Sequence, residues 1–355
     1  VKATVQENSS SLKKRVLSGM RPTGKLHLGN YMGALKNWVS LEDSYECFFF
    51  VADVHALTTD YADPSQIPAF TREVVLDWLS AGLDPERSVM FVQNHVKLHY
   101  ELFTLLSMIT PLSWLERVPT YKDQIENLKE KDLATYGFLG YPLLQSADIL
   151  LYGEPGGSLH VPVGADQVAH VEITREVARR FNFFYSSRAA QDDAGKLIRP
   201  ILNEPQVLLT PTPKLPGTDG RKMSKSYGNF VLLSDPESEI RRKLKPMVTD
   251  PARVRRTDPG NPDVCPVGDL HKVFSSGETL AKVYDGCTTA GIGCIECKSW
   301  LADAVVAELA PMRERRAGYE ASPGRVDEIL AAGNARAAEA AEQTMVQVRA
   351  AMGLA

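Results

Sequence analysis

Pro22-Thr23-Gly24-Lys25-Leu26-His27-Leu28-Gly29-Asn30 follows a short candidate strand, Arg15–Ser18, and a glycine-bounded turn, Gly19–Gly24, and leads into a helix starting near Gly29. Strand, tight turn and helix N-terminus in that order open a parallel α/β sheet, and the free N–H groups and dipole of the helix end favour phosphate. Gly29 lets that end approach a nucleotide closely, and His27 and Asn30 supply donors beside it. Far downstream, Lys222-Met223-Ser224-Lys225-Ser226 places two lysines on a Gly- and Ser-flanked loop. Point charges on a mobile loop suit the charge that develops on a departing pyrophosphate. Together the two stretches read as a site that holds ATP from both sides while its α-phosphate is attacked. A carboxylate attacking phosphorus in line needs no general base, so positioning and electrostatics are most of what the protein must give.

The pattern around this turn is that of βαβ units. Tyr45 to Ala52 is almost continuously apolar, as a strand buried on both faces of a parallel sheet would be. Ile67 to Leu79 carries apolar residues at helical spacing, and Ser88 to Gln93 reads as a third strand. Ligands of such sheets bind beyond the carboxyl ends of the strands, where both the glycine turn and Asp53-Val54-His55 fall. Lys97 to about Lys131 reads as helical with a break at Pro111, Leu143–Tyr152 as a helix, Leu159–Val163 as a strand, Asp166–Phe181 as a helix, and Pro205–Gly220 as a loop. Beyond Asp235 the pattern is helical, and the alanine-rich segment Ala332–Met352 is expected to dock its apolar stripe on the rest of a second domain.

A chain of 355 residues leads one to expect two domains, and 44% apolar with 24% charged residues is ordinary for a globular enzyme. No segment approaches the roughly eighteen-residue apolar run of a membrane span, and Val1 to Lys14 lacks the apolar stretch of a secretory signal, so cytoplasmic residence without a membrane partner is expected. The net charge of −4 is unevenly spread: Arg241, Arg242, Lys243 and Lys245, then Arg253, Arg255 and Arg256, form a basic stretch. It reads either as a solvated helix face and turn or as a phosphate-backbone contact. Of five cysteines, Cys47 falls in the apolar strand, while Cys265, Cys287, Cys294 and Cys297 are separated by 21, 6 and 2 residues. That spacing reads as a four-thiolate metal site, with zinc ahead of iron–sulfur on spacing alone.

Longer runs carry a resemblance. Ser18-Gly19-Met20-Arg21-Pro22-Thr23-Gly24, Gly29-Asn30-Tyr31-Met32-Gly33-Ala34-Leu35 and Phe50-Val51-Ala52-Asp53-Val54-His55-Ala56-Leu57 are three such runs. More specific are Tyr141-Pro142-Leu143-Leu144-Gln145-Ser146-Ala147-Asp148-Ile149-Leu150-Leu151-Tyr152 and Val161-Pro162-Val163-Gly164-Ala165-Asp166-Gln167-Val168-Ala169-His170-Val171-Glu172. On these runs the chain resembles the bacterial tryptophanyl-tRNA synthetases, a class I family, from about Arg15 to its end. The resemblance implies an α/β fold, with a Rossmann-type parallel-sheet catalytic domain over 14–235, including the lysine loop at 220–228. It also implies a mainly helical anticodon-recognising domain over 236–355, with a cysteine-rich insert at 265–297, and a homodimer; residues 1–13, ahead of the resemblance, read as a disordered leader.

The implied reaction joins L-tryptophan to ATP with Mg2+ and then charges tRNA-Trp. In it Asp148 would accept the indole N–H, Tyr141 and Gln167 would hold the α-amino group, and Ile149, Val161 and Val163 would line the ring pocket. Arg21, Thr23, His27, Gly29, Asn30, Asp166, Lys222, Met223 and Lys225 would contact ATP, with His55 near the substrate carboxylate. Arg21 stands where many members carry glutamine, and Gln145 where a methionine is usual beside the indole. The basic residues from Arg241 to Arg256 would touch tRNA. Some members carry a four-iron, four-sulfur cluster on nearly this cysteine pattern, so the resemblance puts a [4Fe-4S] cluster ahead of zinc on Cys265, Cys287, Cys294 and Cys297.

Overall fold

The computed structural model describes residues 14–119, 121, 133–154, 157–186, 200–210 and 215–354. The expected leader at 1–13 and, of the expected helical stretch Lys97–Lys131, residues 120 and 122–131 lie outside these residues. Five parallel strands, β1 (Arg15–Met20), β2 (Glu46–Val51), β3 (Ser88–Val92), β4 (Leu159–Val163) and β5 (Gln206–Leu209), form one sheet in the order β3-β2-β1-β4-β5. The sheet is of the Rossmann type, the fold class expected from the sequence. The chain direction of winding reverses between β1 and β4, and a crevice opens there at the strands' carboxyl ends.

After β1 the chain forms α1 (Leu28–Asn30), a π-helical stretch (Tyr31–Leu35) and α2 (Lys36–Leu41). Then come α3 (Asp53–Asp60), α4 (Ile67–Ala81), α5 (Leu98–Ser107) and α6 (Leu112–Leu115). The helix expected from Leu143 starts a full two turns earlier, as α7 (Tyr136–Leu150), because Thr135 caps it by accepting the Phe138 N–H and Pro142 is accommodated inside it. The next helix, α8 (Val168–Tyr185), begins after a short 3-10 turn at Ala165–Gln167 rather than at Asp166. The segment expected to be a loop contains β5, an edge strand whose side chains are half exposed.

Five helices complete the chain: α9 (Glu237–Leu244), α10 (Pro266–Phe274), α11 (Gly277–Thr288), α12 (Cys294–Glu320) and α13 (Pro323–Met352). The two longest cover the sheet. On one face Leu301, Val305 and Leu309 of α12 join Val16, Phe49, Trp38 and Trp78. On the other, Ala337, Ala341 and Val348 of α13 join Phe48, Phe91, Leu150 and Tyr152. This corrects the expected docking of the alanine-rich helix within its own domain: its small residues let it lie directly against edge strand β3. A Cβ at Gly333 would sit 1.8 Å from the Met90 carbonyl oxygen. Asn334 takes up the Val92 N–H at 2.9 Å, which protects an edge that would otherwise be open to pairing. No helix among the described residues is long and apolar enough to cross a membrane.

A second tie runs from α12 to the turn after β1. Asp77 in α4 accepts the Leu26 N–H at 2.6 Å and Arg316 Nη1 at 2.7 Å, and Arg316 Nη2 reaches Glu73 at 2.6 Å. Burial pushes the Asp77 carboxyl up to about 6, against the pull of the Leu26 N–H and Arg316. Burying this ion pair is tolerable only because every partner is in place.

Gly333→Val should test the close approach of α13. The added bulk meets backbone rather than a flexible side chain, so a loss on the order of 3 kcal/mol is expected by urea unfolding. An unchanged midpoint would show that α13 can slide off β3 at no cost.

Candidate active site

The crevice at the switch point is a cavity of about 430 Å³. Ser18, Gly19 and Met20 at the end of β1 form its floor, and Gly19 is small because a Cβ there would lie 2.4 Å from the Phe50 ring. Tyr141, Gln145, Asp148 and Ile149 enter from successive turns of α7. Val161 and Val163 stand on β4, and Gln167 follows in the 3-10 turn. His55, from the first turn of α3, and Arg21 complete the wall. Every residue expected at an amino-acid pocket thus lines one cleft. The Asp166 side chain lies outside the described residues.

At the back of the cleft Asp148 is fully buried and has three side-chain partners. His55 Nε2 lies 2.8 Å from Oδ2, His99 Nδ1 lies 2.6 Å from Oδ1, and Gln93 Nε2 donates to both oxygens at 2.9 Å. Burial works to raise its pKa, but the charge of His99 and the hydrogen bonds of His55 and His99 outweigh it and bring the carboxyl down to about 2. The pocket therefore presents an ionised acceptor beside Phe50, Ile149 and Val161. Gln93 and His99 were not singled out from the sequence. No motif marks them, since their importance lies in what they touch across the fold.

The nucleotide side is assembled from the two stretches that opened the sequence reading. His27 is buried, and its backbone N–H donates to Asn30 Oδ1 at 3.1 Å, so Asn30 closes the turn as well as facing it. A Cβ at Gly29 would lie 2.9 Å from the His27 ring, so any side chain there would displace His27. The strand-like segment after the lysine loop pairs with this turn: Leu28 N–H donates to Val231 O and Leu233 N–H to Leu26 O, both at 3.0 Å. Lys225 is thereby brought over the turn, its Nζ donating to Thr23 O at 2.6 Å, while Met223 is buried beneath the loop. Burial, then Lys225 and Lys222, bring the His27 pKa down to about 4. His27 is neutral at pH 7 and its Nδ1 is buried without a partner, which leaves one ring nitrogen for a ligand.

Arg21 is turned toward α3, where Nη2 donates to Thr59 Oγ1 and to Ala56 O and pairs with Asp60 at 3.2 Å. Its Nε remains buried without a partner at the edge of the cleft. Unpartnered buried donors at Arg21 and His27, with a lysine folded over the same turn, fit a phosphate chain.

The basic stretch and the cysteines lie away from this cleft. Arg241 pairs with Glu237 and Asp303, Arg242 with Glu239, and Lys243 with Asp235. Arg253 is buried and donates to Ile292 O at 2.6 Å, while Lys245, Arg255 and Arg256 are exposed. The expected [4Fe-4S] cluster, its zinc alternative and the iron–sulfur subgroup are corrected here. Among the described residues no group of three or more His, Cys, Asp or Glu side chains is placed to hold a metal ion. Two of the four thiols have other partners. Cys297 Sγ lies 3.4 Å from His271 Nε2, and Arg253 donates to Cys287 Sγ at 3.6 Å. Burial, then the charges of Cys265, Cys287 and Cys294, push the Cys297 thiol up to about 12, which keeps it protonated. Spacing alone conveyed none of this.

A phosphate-receiving turn, a lysine loop folded onto it and a side-chain pocket across the switch point define an α/β enzyme that activates a small substrate with a nucleotide. Residues 10–310 match the family model of tRNA synthetases class I (W and Y). The chain is 52% identical to the tryptophan--tRNA ligase of Thermotoga maritima, over 96% of this chain and 99% of that protein. It is 49% identical to that of Ralstonia nicotianae, over 96% and 98%. The crystal structure of the Campylobacter jejuni tryptophanyl-tRNA synthetase complexed with ADP and tryptophan superposes with a TM-score of 0.83 at 32% identity, covering 96% of this chain and all of the other, 100%. The chain belongs to the class I tRNA synthetases of the W and Y type.

The electrostatics of the turn can be read by NMR. His27 should titrate near pH 4, and because two cations help to depress it, the Lys222→Ala/Lys225→Ala double variant should raise that midpoint. A His27 midpoint near the ordinary 6.5 in the wild type would contradict the geometry described.

Proposed function

We propose that the chain catalyses the tryptophan--tRNA ligase reaction. The observation that carries this reading is the Asp148 carboxylate, ionised and fully buried at the back of a cleft walled by Ile149, Val161 and Phe50. Indole has one hydrogen-bond donor, and a buried acceptor that needs a donor rejects rings lacking one at that place. Tyr141 and Gln167 line the same cleft and are suited to the α-amino group, with Gln145 beside the ring.

In the first step an oxygen of the tryptophan carboxylate bonds to the α-phosphorus of ATP as the bond to the bridging oxygen breaks, and pyrophosphate leaves. His27, Asn30 and the Gly29 backbone receive the phosphates, Thr23 and Met223 shape the loop contact, and Arg21 offers its Nε toward the α-phosphate. Lys222 and Lys225 neutralise the charge that builds on the leaving group. His55, already bonded to Asp148, stands where the substrate carboxylate enters. In the second step the 2′-hydroxyl of the terminal adenosine of tRNA-Trp attacks the carbonyl carbon of the adenylate and AMP departs.

We assign residues 14–235 to this chemistry and 236–355 to anticodon recognition. Exposed Arg242, Lys245, Arg255 and Arg256 are suited to the tRNA backbone. Arg241, Lys243 and Arg253 hold that surface through their ion pairs and buried bonds. A homodimer is supported by Met108, Leu112 and Phe183, which are 72%, 60% and 81% exposed around the Arg180–Trp114 contact. Charging of tRNA places the activity in the cytoplasm, where translation takes place.

ATP–pyrophosphate exchange with tryptophan and tyrosine side by side tests the reading. Exchange with tryptophan should exceed that with tyrosine by orders of magnitude, and Lys225→Ala should lower kcat by about 100-fold or more. Equal exchange with both amino acids would refute it.

A further inference from the structure

We propose that His99 is a positioning residue for side-chain selection: anchored by the Tyr152 hydroxyl, it fixes Asp148 from behind so that the pocket takes an aromatic ring bearing an N–H donor. The inference rests on the amino-acid reading given above.

A carboxylate has about four acceptor positions, and the protein fills those on the far side of Asp148 before any substrate arrives. The Gln93 amide cannot turn over, because its Oε1 accepts the Val54 and His55 N–H groups at 3.2 and 3.4 Å, which leaves Nε2 to face both Asp148 oxygens. His99 adds the shortest contact, 2.6 Å to Oδ1. Of the three partners only His55 lines the cleft; Gln93 and His99 act from the core. A substrate donor therefore approaches on the His55 side, at Oδ2, and the orientation it meets is set by groups it never touches.

His99 is itself held. It is fully buried in the first turn of α5, with the Phe50, Phe91 and Tyr152 rings 6.1, 6.0 and 5.6 Å away. An ionised carboxylate cannot donate, so the His99 nitrogen facing it, Nδ1, carries the proton. The other ring nitrogen, Nε2, faces the Tyr152 hydroxyl at 2.9 Å. Burial, then the Asp148 charge, push the Tyr152 phenol well above its usual value, so that hydroxyl stays protonated beside His99. Tyr152, His99 and Asp148 make a line of hydrogen bonds from the core to the pocket, and all three are 0% exposed. Without His99, Oδ1 keeps only the shared Gln93 contact, and the carboxylate is free to rotate away from the ring's N–H.

The test is ATP–pyrophosphate exchange with L-tryptophan and with its isostere carrying sulfur in place of the indole N–H, β-(3-benzothienyl)alanine. The wild type is compared with His99→Leu, His99→Asn and Tyr152→Phe. Asn keeps an N–H close to the position of Nδ1; Leu keeps none. The ratio of kcat/KM for tryptophan over the isostere should fall by about tenfold or more in His99→Leu. It should recover most of the way in His99→Asn and fall by about threefold in Tyr152→Phe, mainly through the KM for tryptophan. A merely structural histidine would weaken both substrates alike. An unchanged ratio in His99→Leu overturns the proposal, and should that variant not fold, an unchanged ratio in Tyr152→Phe does so. Wild-type protein that fails to exchange with tryptophan would instead overturn the functional reading itself.

Discussion

One buried charge organises this molecule. An unpaired carboxylate in the core would cost several kcal/mol, so Asp148 can occupy its place only if α3, the turn after β3, α5 and α7 converge to deliver His55, Gln93 and His99. α3, the segment from Gln93 to His99, and α7 are well separated in the chain and share no local pattern. Their convergence closes the back of the cleft, and Phe50, Phe91 and Tyr152 pack around the junction as a consequence. The pocket's polarity and its shape thus have a single origin.

The nucleotide side is built on a different principle. Here the polar groups are backbone and lysine rather than a buried network, and the rigid part lies beneath them. Asp77 fixes Leu26, Arg316 fixes Asp77, and Tyr31 donates to Glu308 at 3.0 Å, so α12 grips the turn and the following helix at two points. The loop lysines above have few such ties, and Lys225 reaches the turn only through its side chain. A stiff floor under a movable cationic cover suits a reaction whose charge appears late, on the leaving group.

How far the sequence could be read follows from which signals are local. The strands β1 to β4 and helix α4 were legible because burial on both faces and helical spacing are written in neighbouring residues. β5 was not, since an edge strand in a proline-rich stretch lacks both signals. The start of α7 was obscured by Pro142, which inside a helix is ordinarily a breaker. The stripe of α13 was visible, but a stripe does not name its partner, and Gly333 and Asn334 chose β3. The cleft residues from Tyr141 to Gln167 were legible through their motifs, whereas Gln93 and His99 became visible only with the fold. The cysteines gave the opposite lesson: their spacing suggested a metal site, and Cys297 and Cys287 were found with His271 and Arg253 as partners.

The account turns on an ionised Asp148 receiving the indole N–H, and the most direct measurement is the proton resonance of that N–H in isotope-labelled tryptophan bound to the protein. A hydrogen bond to a desolvated carboxylate is short and charge-assisted and moves the proton far downfield. The account predicts such a shift in the wild type and its absence from tryptophan bound to Asp148→Leu. Tryptophan held by the wild-type protein with its indole N–H resonance near the free position would contradict it.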